Sequence, residues 1–180
     1  MEANMNQTGE RQPRKNLRLP DYDYSQNGMY FVTICTEKRR NILGSIVGDG
    51  FSVPAQSLTG IGLIADGQIG LIPLKYKNVS IPKYVIMPNH IHLILSIDNT
   101  AGNPGSGAEN PPPTLGTVVA WYKYQTMKLI NPKSQKVTTK IWQRSYYDHI
   151  IRHDQDYLAI WQYIDDNPAK WAEDDYYSRD

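Results

Sequence analysis

The 180-residue sequence has a single cysteine, Cys35, so no disulfide can close within the chain and a sulfur-stapled fold is excluded. It has no apolar run approaching the ~20 residues of a bilayer span and no segment that reads as a cleavable signal. A soluble cytoplasmic protein with no membrane partner is the expectation. Phenylalanine is scarce, two residues against 13 tyrosines and four tryptophans, so most rings carry a polar handle. Such rings suit surfaces that stack on bases, and equally the edges of a core. With 40% hydrophobic and 21% charged residues, collagenous and disordered classes are excluded and one ordinary globular domain is expected. No internal repeat is present. The net charge of +1 hides an asymmetry, because residues 1–153 hold 17 Lys/Arg against 10 Asp/Glu and residues 154–180 hold two against eight. A basic body favours a polyanionic partner, although solvated faces give the same imbalance.

Along the chain, residues 1–20 read as a basic flexible arm, residues 21–172 as one domain and residues 173–180 as an acidic tail. The β-branched and aromatic run from Tyr30, bounded by Asn27-Gly28 and by the charged stretch Glu37 to Arg40, predicts a central strand. Residues 42–54 around Gly48-Asp49-Gly50 predict a small hairpin. Residues 59–72 read as a helix, with Ile61, Ile64, Ala65, Ile69 and Ile72 at helical spacing, although Gly60, Gly62, Gly67 and Gly70 each weaken it by ~1 kcal/mol. Residues 76–86 and 90–97 read as an antiparallel pair turning at Met87-Pro88-Asn89. The Gly/Pro/Asn run 98–113 predicts a mobile surface loop. Thr114 then caps a helix with Leu115, Val118, Val119, Tyr122 and Leu129 on one face, stopped by Asn131-Pro132. Trp142 to Ile151 reads as a strand, and a last helix runs from an Asp154 cap to Asn167-Pro168 with Tyr157, Ile160, Trp161 and Ile164 as its buried stripe. Strands joined by hairpins, without βα alternation, predict an α+β domain with helices packed on an antiparallel sheet.

Two of the four histidines, His90 and His92, lie one residue apart in a predicted strand, where alternate side chains share a face. Two imidazoles on one rigid face can hold a metal ion, or they can simply be exposed strand histidines. The apolar character of the rest of that strand favours the first, since a buried polar pair needs a partner. Tyr163 and Asn167 are four apart, hence stacked on one helix face. Tyr163 sits roughly 110° from the centre of the apolar stripe, off the core face, where a phenol can act as a nucleophile and a carboxamide oxygen can complete a metal site. Packing and a helix-end signal would account for the same pair. His149 and His153 form a rival pair only if that stretch is helical, and Tyr147 and Tyr157 are alternative nucleophiles.

The segments Tyr-Phe-Val-Thr-Ile-Cys-Thr, Met-Pro-Asn-His-Ile-His, Trp-Gln-Arg-Ser-Tyr-Tyr-Asp-His-Ile-Ile-Arg and Tyr-Ile-Asp-Asp-Asn-Pro together resemble the HUH single-tyrosine transposases, and within them the REP-associated tyrosine transposases. The resemblance runs from about Leu19 to Trp171. It implies a ferredoxin-like antiparallel sheet, with His90 and His92 binding Mg²⁺ or Mn²⁺, Asn167 as third ligand and Tyr163 as nucleophile. The activity implied is cleavage and rejoining of single-stranded, hairpin-containing DNA, such as a REP-like or insertion-sequence end, through a 5′-phosphotyrosine, by a monomer or homodimer. Ligand chemistry alone would not select Mg²⁺, because imidazole suits other metals better. Candidate DNA contacts are Arg14, Lys15, Arg18, Lys38, Arg39 and Arg40 for phosphates, with Trp142 and Tyr146 for stacking. The long insert after the histidine strand and the glycines of 59–72 depart from the family pattern. A catalytically silent nucleic-acid-binding module and a His-x-His hydrolase without a DNA partner are the other readings.

Overall fold

The computed structural model describes residues 24, 26–48, 55–100, 112–131 and 139–178. The arm and most of the insert after the histidine strand lie outside the described residues. Strands β1 (Gly28–Cys35), β4 (Val79–Ile86), β5 (His90–Ile97) and β6 (Tyr147–Ile151) form one sheet in the order β4-β5-β1-β6, with every described pairing antiparallel. A separate pair joins β2 (Gly44–Val47) to β3 (Ala55–Leu58), so the second strand lies beyond the 42–54 stretch in which a hairpin is expected, and residues 49–54 lie outside the described residues. Three helices complete the fold: α1 (Gly60–Lys75), α2 (Leu115–Ile130) and α3 (Asp154–Asp166). The α+β class with an antiparallel sheet is thus as expected, and among the described residues no helix is long and apolar enough to cross a membrane.

The two strands β1 and β5 are central because neither offers a polar edge to solvent. On β5, Ile91, Leu93, Leu95 and Ile97 are buried on one face, and on β1 Tyr30, Val32 and Ile34 join them. They meet Ala65, Ile69 and Ile72 of α1 and Leu115, Val118, Val119 and Tyr122 of α2 in one continuous core. α3 lies over the opposite face, where Ile164 is buried with Val85, Ile94 and Ile151. Pro82 is accommodated because β4 is an edge strand with an irregularity in register between Ser80 and Lys83.

Helix α1 forms despite its four glycines and continues past Pro73 to Lys75. Its start is fixed by Thr59, whose side chain accepts from Gly62 N–H while its hydroxyl donates to Ile42 O. Thr114 caps α2 by accepting from Thr117 N–H, as the sequence predicts. The cap of α3 differs from expectation. Asp154 is already the first helical residue, and the N-cap is His153, whose Nδ1 accepts from Asp156 N–H. An imidazole nitrogen can fill the acceptor role of a carboxylate once the preceding residue turns out of the helix.

Candidate active site

The site is built on the sheet face opposite the apolar core. The turn at Met87-Pro88-Asn89 is closed by Met87 N–H donating to His90 O at 2.8 Å, and it delivers His90 as the first residue of β5. Alternation puts His90 and His92 on one face, and both are buried, at 0% and 1% exposure. Their Nε2 atoms are 2.9 Å apart. Each ring is oriented from behind. His90 Nδ1 lies 2.9 Å from the Asn89 side-chain oxygen, an acceptor, so this nitrogen carries the proton and Nε2 keeps its lone pair. His92 Nδ1 lies 2.8 Å from Thr33 Oγ1, and Thr33 is its register partner on β1.

Helix α3 brings Tyr163 to this pair. Its phenol oxygen is 3.2 Å from His92 Nε2, and the residue is 44% exposed, so the phenol reaches the imidazoles while remaining open to solvent. Phe31 on β1 holds both rings, stacked on His92 at 5.1 Å and edge-on to Tyr163 at 5.9 Å. Asn167, the C-cap of α3, is buried and its Nδ2–H donates to Asp174 Oδ2 at 3.0 Å. The Asn167 side-chain oxygen is buried without a hydrogen-bond partner among the described residues.

Asp174 is the residue the sequence reading missed. It lies in the stretch read as an acidic tail, where three acidic side chains in a row resemble a solvated run. In the fold this stretch returns to the site. Asp174 Oδ2 comes within 4.0 Å of His90 Nε2, and the Tyr176 ring lies 4.7 Å from His90 and 5.9 Å from His92. Asn89 fastens the segment, its Nδ2–H group donating to Tyr176 O at 2.8 Å. Arg39 adds a bond from Nη1–H to Asp175 O at 3.0 Å and lies over the Tyr176 ring. Lys38 and Arg39 hold left-handed backbone conformations, with φ of 58° and 54°, a costly geometry for non-glycine residues.

The donor set suits a divalent cation. His90, His92 and Asp174 each offer a ligand atom within 4.8 Å of the others. Asp174 offers a hard carboxylate oxygen to this cluster, and Asn167, which donates to Asp174, keeps a side-chain oxygen without a partner among the described residues. Electrostatics agree with this use. Burial, together with the nearby Arg39 guanidinium, lowers the His90 pKa to about 3, and burial together with His90 holds His92 well below its ordinary value. Both imidazoles are neutral near pH 7, the form in which an imidazole nitrogen can bind a metal ion. Burial and the Asp174 carboxylate push the Tyr163 phenol up to about 12.

The other predicted contacts are scattered. Arg14, Lys15 and Arg18 lie outside the described residues. Lys38 is exposed, Arg39 is engaged with the 174–178 segment, and Arg40 Nη2–H donates to Lys140 O at 2.8 Å. Trp142 is only 4% exposed, and its indole N–H donates to Thr126 Oγ1 at 2.7 Å, so this ring is core and offers no face to a base. Tyr146 is partly buried beside the Lys123 ammonium. His149 and His153 do not pair as metal ligands. His149 Nε2 lies 2.9 Å from Asp156 Oδ2, and His153 caps α3.

No protein-family profile matches the chain. Two proteins of Haemophilus influenzae resemble it. One, uncharacterized, is 31% identical over 177 residues, covering 91% of this chain and 93% of that protein. Another, assigned as a REP-associated tyrosine transposase, is 25% identical over 157 residues, covering 82% of this chain and 74% of its own length. Among solved structures, a REP-associated tyrosine transposase bound to a REP hairpin superposes with a TM-score of 0.57 at 20% identity, over 85% of this chain and 73% of that one. That likeness is one of fold.

Proposed function

The chain belongs to the single-tyrosine transposases, beside the REP-associated enzymes, and on that premise we propose that it cuts and rejoins single-stranded, hairpin-containing DNA. The observation that carries the proposal is one cluster: a solvent-open phenol 3.2 Å from His92, whose Nε2 is 2.9 Å from that of His90. His90, His92, Asp174 and the Asn167 oxygen would hold the divalent cation, Mg²⁺ or Mn²⁺. When bound, it supplies positive charge against the non-bridging oxygens of a scissile phosphodiester. Tyr163 is the nucleophile. Its oxygen forms the bond to phosphorus as the bond to the 3′-oxygen breaks, leaving a 5′-phosphotyrosine and a free 3′-hydroxyl. The phenol enters protonated, since its pKa stands at about 12, and the departing 3′-oxygen gains a proton as the phenol loses one. Thr33, Asn89 and Phe31 keep the imidazoles and phenol aligned through the exchange. A phenolate leaves more readily than an alkoxide, so the tyrosyl ester remains open to attack by another strand's 3′-hydroxyl, and rejoining needs no external energy source.

The hairpin partner is supported by the solved relative, which is bound to a REP hairpin. Arg14, Lys15, Arg18 and Lys38 are proposed as phosphate contacts, acting in a cytoplasmic monomer or homodimer. The test is a denaturing gel of protein with labelled single-stranded hairpin oligonucleotides and Mg²⁺ or Mn²⁺. A metal-dependent covalent band is expected, and it should vanish in Tyr163→Phe and His90→Ala. A silent binding module of the same fold is the second reading, favoured by the burial of both imidazoles beneath Tyr176. Its signature is a native-gel shift of the same oligonucleotides with no covalent band under any metal.

A further inference from the structure

The edge strand β6 carries a residue that the proposed chemistry does not use. In the antiparallel register Tyr147 lies opposite Thr33, and Thr33 lies opposite His92, so all three side chains leave the same face of the sheet. His149 lies opposite Phe31 in the next row on that face. Helix α3 packs mainly over β4 and β5 and reaches β6 at its start, where His149 Nε2 lies 2.9 Å from Asp156 Oδ2 and Ile151 is buried beside Ile164, at the end of β6 away from Tyr147. Tyr147 is 47% exposed, and Phe31 is only partly buried although it touches both His92 and Tyr163. Tyr163, His92 and Phe31 thus form one ring cluster, and Tyr147 stands two strands from His92 on the same face. Arg144 and Arg152, at the two ends of β6, are exposed as well.

Sheet spacing sets the reach. Tyr147 is two strands from His92, a separation of ~10 Å between their backbones, about the span of one or two nucleotides of an extended strand. A large aromatic side chain facing solvent on an edge strand is a liability for aggregation, whereas a base stacked on it covers the ring. Arginines at both ends of the strand match the charge of a polynucleotide backbone passing along it.

We propose that Tyr147 is a nucleobase-binding residue: it stacks the base of a single-stranded DNA nucleotide flanking the scissile phosphate. The proposal rests on the strand-transfer reading and adds to it a subsite on the single strand outside the hairpin. The Tyr147 side chain holds the flank, and the reacting bonds belong to Tyr163.

The experiment measures binding by fluorescence anisotropy, in the Tyr163→Phe background so that cleavage does not intervene. The probe is a labelled hairpin oligonucleotide with a single-stranded flank, compared with versions in which one flank base at a time is removed to leave an abasic sugar. Tyr147→Ala should weaken binding of the intact probe about tenfold, and Tyr147→Phe should restore it. One abasic position should weaken the Tyr147-containing protein by a similar factor and leave Tyr147→Ala unaffected. Binding that is intact in Tyr147→Ala, or a loss independent of every flank base, overturns the stacking proposal while the transferase reading stands. Failure of the Tyr163→Phe protein to bind the probe at all overturns both.

Discussion

The two faces of the central sheet are built to opposite rules. Toward α1 and α2, β1 and β5 present only apolar side chains, from Tyr30 and Ile34 to Leu93 and Ile97, buried to within a few per cent. Toward α3 the same two strands mix Thr33, His90 and His92, equally buried but polar, with a smaller apolar contact between Ile94 and Ile164. An apolar face is held by displaced water and close packing. A polar face buried to the same depth loses hydration, and it is tolerable only because each ring nitrogen has a neighbour: Asn89, Thr33, the other histidine and Tyr163. One face is wholly core, and the other carries the polar cluster proposed as the site.

The largest expected effect comes from breaking the apolar face. Leu93→Ala removes a fully buried side chain between β1, β4 and the helix layer, and should cost about 2–5 kcal/mol, read as a shift in the denaturant midpoint. The neighbouring His92→Leu should cost far less or stabilise the ion-free protein, because an apolar side chain replaces a buried polar one, while the covalent adduct is abolished. Equal losses of stability in the two variants would mean that the faces do not divide the work in this way.

Acid separates the faces by their protons. His90 and His92 are held below the ordinary histidine value in the folded protein, the former at about 3, whereas in the unfolded chain both return to about 6.5. Below pH 6.5 the unfolded chain binds protons that the folded one refuses, so stability falls as the pH drops from about 6.5 toward 3. His90 contributes a slope of roughly 1 kcal/mol per pH unit in that window, and His92 acts in the same direction. Urea midpoints measured across it should flatten in His92→Leu. Mn²⁺ or Mg²⁺ at pH 7 should raise the melting temperature of the wild-type protein and not of His90→Ala, because the ion binds only the folded site.

The sequence discloses the elements of this comparison unevenly. The pairing of β4 with β5 is legible because Met87-Pro88-Asn89 interrupts two β-branched runs, and the off-core position of Tyr163 is legible from helical spacing. The burial of Trp142 is not, since an indole reads alike as a stacking surface and as a core ring until Thr126 supplies a partner for its N–H. Nor is Asp174 legible. Its role depends on residues 174–178 meeting Arg39, Asn41 and Asn89, contacts across at least 85 residues that leave no periodic trace in the chain. Local patterns announce secondary structure, whereas a return of the chain to a site more than 80 residues away is decided by packing.

Helix α1 supplies the smallest effect and shows how a helix holds with four glycines. Gly62 is required, because a Cβ there would run into Leu43 O, where the chain entering the helix passes close by. Gly67 and Gly70 have no such neighbour, and a Cβ on either would meet nothing within 4 Å. At these two positions the propensity cost is real and uncompensated, and the helix stands because Ala65, Ile69 and Ile72 are buried against the sheet and α2. Gly67→Ala and Gly70→Ala should therefore each stabilise the protein by about 0.5–1 kcal/mol, the helix-propensity difference, with no change in covalent adduct formation. A loss of stability in both would show that the outer surface of α1 is in contact with another part of the chain or another copy, since only a neighbour at close range turns an added methyl group into a penalty.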